Sequence, residues 1–339
     1  MMYNKVNHMI LKTLLLVSCA SGLYAMHPAS MWQKLAQGQS MSRYELIESF
    51  INDCRMYANE NKAIPRHETN NKTVRVATYN VHAWKDSHNN KNFDGMMRVI
   101  QDINADILVL QEVSVFNQSI MQKAFENLGY ICNESLFAQA ANHYGCPFGN
   151  MIVSKYPLVQ EPVKKTFEAD KKLIGERRCY VKTEIDLPHQ KKVTIYGTHL
   201  DVYDETEKLR TKEIQELVDT IAQQSGPCII AADCNAVRAC DYQYTVGNNK
   251  CVWDLLNDMN KKRLRIDTPV QALKALESNY FKDCFTKNNQ QGPKCTVWSG
   301  TVVDFMWLNK QWNLPIAGCY TYYSAASDHM PVIMDFNIV

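Results

Sequence analysis

No stretch of this chain approaches the roughly 18–20 consecutive apolar residues needed to span a bilayer. No membrane-spanning segment is therefore expected in the mature chain. None of the 12 cysteines forms a Cys-x-x-Cys pair, which excludes a zinc ribbon and a thioredoxin-type redox motif. Internal repeats and low-complexity tracts are missing too, which sets aside solenoid and disordered architectures. Charge of one sign is also lacking. Lys5 and Lys12 are the only charged residues before position 26, and leaving them out of the 37 basic residues gives 35, equal to the 35 acidic ones. A mature chain without that segment has no whole-surface basic field for holding nucleic acid, although a local basic patch is allowed.

What is present begins with a targeting pattern. Lys5 and Lys12 precede a short apolar run, Thr13 to Ala25, that ends in small residues, the layout of a secretory signal peptide over residues 1–25. Bulky Leu23 leaves the cut open, Met9 is an alternative start, and Leu16-Val17-Ser18-Cys19 also resembles a lipoprotein signal that puts a lipid on Cys19. Export, secreted or periplasmic, is the expectation; a buried N-terminal helix is the bland alternative. Export would allow disulfides, but no pairing can be read, and Cys228 and Cys234 read as small buried hydrophobes.

Residues 26–73 read as a helical extension and linker. Ser42 and Glu45 fit a capping box, and Ile47, Phe50, Ile51, Cys54 and Tyr57 recur at helical spacing over 42–59. The stretch 63–73, with Pro65, reads as linker. From Val74 short apolar runs alternate with polar loops. VRVATYN (74–80), DILVLQE (106–112), CYVKTEI (179–185), VTIYGTH (193–199), CIIAAD (228–233), VDFMWL (303–308) and PVIMDF (331–336) read as strands. Phe93 to Ile103 and about Glu205 to Gln224 read as helices, the second ended by Gly226-Pro227. Strands interleaved with helices argue for a layered α/β or α+β domain over 74–339. The long polar stretch from Val237 to Thr296, with one helix at Val270 to Leu276, is an insertion of the kind that carries substrate contacts.

Several strands run out into residues suited to metal or phosphate work. Asn80, Glu112 and His199 end three of them, with Asp201 close behind. Asp233 and Asn235 end CIIAADCN, Asp304 lies within VVDFMW, and Asp328-His329 precede the last strand. Strand ends gathered on one edge of a layered domain form a natural ligand cleft. One such residue alone is more often structural than catalytic. So many in one chain argue together.

The ordered segments TYNVH, LVLQEV, FGNMIVSKYPL, GTHLD, AADCN and SDHMPV resemble the successive motifs of the endonuclease/exonuclease/phosphatase family, over about Val74 to Val339. The resemblance implies two β-sheets packed face to face with helices on both outer sides. It implies a phosphate-ester hydrolase using Mg²⁺ or Mn²⁺; a monomer is the separate expectation for its assembly. By the same resemblance Glu112 and Asp328 hold the metal through hard carboxylate oxygen, with Asn80 beside them. Asp233 is the general base on water, Asn235 fixes that water or the phosphate, and His329 meets charge on a phosphate oxygen. Asp304 sets the tautomer of His329, and His199 is a further phosphate contact. Ala232 stands where the family usually has Gly, and Val302 where it often has Arg. Arg177 or Arg178 could replace that arginine, or lie on a solvated strand edge. Asn150 reads either as a cleft residue or as a turn residue after Gly149.

Three functions compete. The first is a nuclease acting on nucleic acid. The second is a phosphodiesterase or phosphatase for a phospholipid or inositol-phosphate headgroup, sphingomyelinase-like, which a protruding aromatic hairpin would favour; Trp298 and Trp312 are candidates for it, with core packing as the alternative. The third is a non-catalytic binding protein, which predicts decay at Glu112, Asp233 or His329, and all three are present. The balance leans to the nuclease.

Overall fold

The computed structural model describes residues 41–339 apart from 69–71, 171–175, 244, 247–249, 265–267, 291, 294 and 300. The signal-peptide reading of residues 1–25 and the Cys19 alternative lie outside the described residues. The first helix, α1 (Arg43–Tyr57), starts at Ser42, whose hydroxyl accepts from the Glu45 amide while the Glu45 carboxylate takes the Ser42 amide at 2.7 Å. This reciprocal cap satisfies two of the first-turn N–H groups that a helix leaves unpaired.

The main body follows as β1 (Thr73–Asn80), α2 (Phe93–Ile103), β2 (Ile107–Ser114), α3 (Gln118–Asn127), β3 (Phe137–His143), β4 (Cys146–Ser154), β5 (Val163–Thr166), β6 (Cys179–Leu187) and β7 (Lys191–His199). After these come α4 (Lys208–Ala222), β8 (Cys228–Asp233), a small hairpin of β9 (Thr245–Val246) and β10 (Lys250–Cys251), α5 (Val252–Leu264) and α6 (Gln271–Ser278). The chain closes with β11 (Lys282–Asp283), α7 (Cys284–Lys287), β12 (Asp304–Leu308), β13 (Ile316–Thr321) and β14 (Val332–Asn337). Two six-stranded sheets form, in the orders β13-β14-β1-β2-β4-β3 and β11-β12-β8-β7-β6-β5.

Each sheet is antiparallel except for one parallel pair, β1 with β2 and β7 with β8. Parallel neighbours need a crossover, and α2 and α4 supply it. The two β-α-β units thus aim the C-terminal ends of β1, β2, β7 and β8 at one edge, where open α/β sheets bind ligands. Between the sheets lies a core of alternate strand residues, including Val76, Val109, Ile152, Val181, Ile195, Ala231 and Met334. The outer face of the first sheet is covered by α2 and α3, and that of the second by α4 and α6. Each large apolar side chain buried this way stabilises the fold by about 1.5–3 kcal/mol. The expected face-to-face sheets with helices outside are what is found.

Helix α1 is not a loose appendage. Its buried face, Leu46, Ile47, Phe50, Ile51 and Cys54, packs against Val237, Tyr242 and Leu256 of the insertion and against Val297, Val303 and Met330. At the far end of β1, Arg75 is paired in register with Asp335 and holds both its carboxylate oxygens at 2.7 Å. The described cysteines are all free thiols. No helix among the described residues is long and apolar enough to cross a membrane.

Candidate active site

The geometry begins with a defect in β2. Leu110 pairs with Met151 and Val113 with Gly149, so Gln111 and Glu112 together oppose the single residue Asn150. This bulge breaks the in–out alternation, and Glu112 takes φ 55°, in the left-handed region. Without the extra residue strict alternation puts Glu112 on the helix-covered face beside Leu110. With it, the carboxylate turns into a cavity of about 200 Å³ at the sheet edge. His82 (φ 42°) and Asn235 (φ 45°) sit in the same unfavourable region. Such outliers persist where surrounding structure over-determines them and cluster at functional sites.

Asn80 ties the two sheets together at this edge. Its amide donates to Glu112 Oε1 at 3.1 Å and to Asp233 Oδ2 at 2.9 Å. Its side-chain oxygen accepts the His82 amide at 2.9 Å, and its backbone carbonyl accepts the Ser327 hydroxyl at 2.8 Å. One asparagine thereby fixes groups from the ends of β1, β2 and β8 and the loop before β14.

Asp233 and Asp304 are register partners on β8 and β12. His329 Nδ1 is 2.9 Å from Asp304 Oδ2, and its Nε2 is 3.8 Å from Asp233 Oδ2. Burial alone would push the His329 imidazole down, but the Asp304 carboxylate, its hydrogen bond, Asp233 and Asp328 outweigh it and hold the ring well above the usual histidine range. Burial, and then the Asp304 charge, pushes Asp233 up to about 6, against lowering by His329 and the Asn80 hydrogen bond. The loop bearing Asp328 and His329 is clasped by Trp298, whose amide donates to the Asp328 carbonyl at 2.6 Å, and by the Met330 amide on the Thr296 carbonyl at 2.6 Å.

His199 is different. Its Nδ1 faces Arg178 Nη1 at 3.3 Å and its Nε2 faces the Asn235 amide at 2.8 Å. Burial, with the charges of Arg178 and His329, pushes it well below the usual range, so the ring is neutral.

Glu112 is raised by burial and by the neighbouring Asp328 carboxylate, against lowering by His82 and Asn80. Glu112, His199 and Asp233 bring ligand atoms within 4.8 Å of one another, and so do Asp233, Asp304 and His329. The second trio is fully buried and already closed by its own hydrogen bond. In the first, Asp233 and His199 are engaged with Asn80, Arg178 and Asn235. Glu112 and Asp328 face the cavity, and two adjacent carboxylates beside the Asn80 amide are a hard oxygen donor set that fits Mg²⁺ or Mn²⁺.

Asn150 does not lie where the sequence put it, and of the two alternatives for Arg178 the structure keeps the cleft position. Asn150 is neither a turn nor a cleft residue: it lies inside β4, and its amide donates to the Cys179 carbonyl at 2.9 Å. Gly149 beside it makes no turn; a Cβ there would stand 2.0 Å from the Ala138 carbonyl oxygen, so the glycine permits close strand approach. Arg178 is no solvated edge, being 2% exposed and paired with Glu176 at 2.6 Å, whereas Arg177 is exposed. Trp298 and Trp312 are both buried and make no protruding hairpin. Among the described polar residues lining the cleft, four escaped the sequence reading: His82, His143, Glu176 and Tyr203. Only His82 carried a signal, as the last residue of TYNVH.

No curated protein sequence matches the chain. Solved structures do resemble it. An endonuclease/exonuclease/phosphatase from Beutenbergia cavernae is 17% identical with a TM-score of 0.55, over 78% of this chain and 72% of that one. The human Nocturnin catalytic domain with bound sulfate anion is 17% identical with a TM-score of 0.57, over 80% and 95%. ANGEL2, a 2′,3′-cyclic phosphatase, is 15% identical with a TM-score of 0.55, over 79% and 96%. At these identities the likeness is one of fold. The family profile described as Endonuclease/Exonuclease/phosphatase family matches residues 77–329, most of the chain and every site residue above, and the chain belongs to that family.

Proposed function

We propose that this protein is a divalent-metal-dependent phosphodiesterase acting on nucleic acid. The observation that carries the reading is the continuous chain Asp304–His329–Asp233–Asn80–Glu112. It sets a carboxylate base, an imidazolium donor and a metal-binding carboxylate around one small cavity. Glu112 and Asp328 are the residues that would hold Mg²⁺ or Mn²⁺, with Asn80 orienting Glu112. A bound divalent cation supplies Lewis acidity and offsets charge on the phosphoryl oxygens.

The protein's own groups divide the rest of the work. Asp233, its orientation fixed by the Asn80 amide and by the Asn235 N–H on its other oxygen at 3.0 Å, takes a proton from the attacking water. His329, charged and aimed by Asp304, donates from Nε2 to a phosphate oxygen as negative charge grows. Asn235 lies close enough to Asp233 to hold the water or a phosphate oxygen. His199, a neutral ring that accepts at one nitrogen and donates at the other, accepts from the Arg178 guanidinium at Nδ1 (3.3 Å) and turns Nε2 toward Asn235 and Asp233 Oδ2 (3.4 Å), so it positions these groups rather than reaching the phosphate itself. The signal-like pattern over residues 1–25 supports an exported enzyme, which we take to act as a monomer.

One observation favours the phospholipid-headgroup alternative. Tyr144, at the tip of the β3–β4 hairpin beside cleft residue His143, is 93% exposed. A lone tyrosine flanked by Asn142, His143 and Gly145, with the Lys85 ammonium 5.2 Å over its ring, is a small and polar tip for entering a membrane. Hydrolysis of plasmid DNA, RNA, sphingomyelin and phosphoinositides by the purified protein in Mg²⁺ or Mn²⁺ tests the assignment. Turnover of nucleic acid is expected, and turnover confined to a lipid would reverse it.

A further inference from the structure

The cleft has two ends. Strand order sets Asp328 and His329, beside β12 and β14, at one end. It sets His143, Phe148, Glu176, Arg178 and Tyr203, beside β3, β4, β6 and β7, at the other. At this second end Arg178 Nη1 donates to Glu176 Oε1 at 2.6 Å. The Tyr203 hydroxyl donates to Glu176 Oε2 at 3.3 Å, and His143 Nε2 is 3.9 Å from the same oxygen. The His143 ring lies flat on Phe148, with centroids 4.3 Å apart and planes 25° from parallel. Among the described residues lining the cavity Arg178 is the single Lys or Arg, against the carboxylates of Glu112, Glu176, Asp233 and Asp328.

A site with that balance has room for the charge of one phosphodiester beside a divalent cation. Among the described residues lining it no second cation stands ready for a second phosphate, and Glu176 repels one placed beyond Arg178. What this end offers is a flat aromatic face, on which a base can stack, and a carboxylate edge, which accepts N–H and O–H donors. The cavity, about 200 Å³, is small, with room for no more than part of one nucleotide at a time.

Building on the phosphodiesterase reading above, we infer that this end of the cleft is a subsite for a terminal, unphosphorylated nucleoside. Its base lies on the outer face of the His143 ring, which the buried Phe148 backs, and its donor groups meet Glu176, so the enzyme cleaves at a chain end or in small nucleotide esters rather than within a strand.

The test compares three substrates with one leaving group: bis(p-nitrophenyl) phosphate, the p-nitrophenyl ester of adenosine 5′-monophosphate, and that ester bearing an added 3′-phosphate. The intact protein should show kcat/KM about tenfold higher for the nucleoside ester than for the simple diester, chiefly through KM, and about tenfold lower when the 3′-phosphate is added. Glu176→Gln should bring the last two substrates together, and Phe148→Ala should erase the preference for the nucleoside ester over the simple diester. Each result is a ratio within one variant, so a general loss of activity does not mimic it. Equal rates on all three substrates, a preference for the 3′-phosphorylated ester, ratios unmoved by Glu176→Gln, or faster turnover of sphingomyelin vesicles would each overturn the inference. Hydrolysis of none of them by folded protein in Mg²⁺ or Mn²⁺ would instead bring down the phosphodiesterase reading.

Discussion

Asp233 and Asp304 stand directly opposite each other on neighbouring strands, and His329 touches one at 2.9 Å and lies 3.8 Å from the other. Both carboxylates are buried, so their repulsion is poorly screened. Asp304 turns Oδ2 to Nδ1 of the imidazole, and burial together with the Asp304 charge pushes Asp233 up to about 6.

That arrangement sets an acid limb on activity. A carboxylate raised to about 6 is protonated below that pH, and a protonated Asp233 cannot take a proton from water. We expect kcat to fall as pH drops through about 6 and to level off above it. A pH profile flat down to 5 would remove Asp233 from the base role.

Asp233→Asn and His329→Ala should each lower kcat by roughly 10²-fold or more, the usual scale for acid–base and charge-stabilising groups, with KM little changed. Steady-state kinetics on any accepted substrate, with melting curves to check folding, decide this. Near-full kcat in Asp233→Asn would mean another group activates the water.

Asp304 acts through His329. Asp304→Asn should cost less than His329→Ala, and adding it to His329→Ala should cost little more, because residues working as one unit are not additive. If the two effects multiply cleanly in the double variant, the orienting role is wrong.

The N-terminal extension belongs to the fold. Phe50 is 4% exposed in the cluster that backs Val297, Trp298 and Met330, the walls of the His329 loop. Phe50→Ala should destabilise the protein by about 3–5 kcal/mol, read by urea unfolding. An unchanged midpoint would show α1 to be a dispensable attachment.

Much of this was legible in the sequence, for identifiable reasons. Met96, Val99, Ile100 and Ile103 recur at helical spacing, and Asn104, at φ 50°, stops α2 where the pattern stops. The capping box at Ser42 and Glu45 forms as read. Strands buried on both faces, such as Ile107–Ser114 and Cys228–Asp233, stood out as apolar runs. The strands β3, β4, β5 and β13, the short β9, β10 and β11, and the helices α3, α5 and α7 did not: half-exposed sequences such as Phe137–His143 alternate weakly, and the buried β4 carries Gly149, which reads as a turn. Asn150 was misplaced because Gly149 reads as a turn until the Ala138 carbonyl is seen against it. The β2 bulge that aims Glu112 leaves no mark in the sequence, since it exists only in the pairing with β4. His143 ends β3 while Glu176 and Tyr203 lie in separate loops, and the three meet only when the sheets pack.

The most direct test of the metal-dependent mechanism is hydrolysis of a nucleic-acid phosphodiester before and after exhaustive chelation. With Glu112 and Asp328 facing the cavity as a hard donor pair, turnover should vanish in excess chelator and return on adding Mg²⁺ or Mn²⁺. In Glu112→Gln it should return only weakly even at high metal. Undiminished turnover in excess chelator would contradict the account.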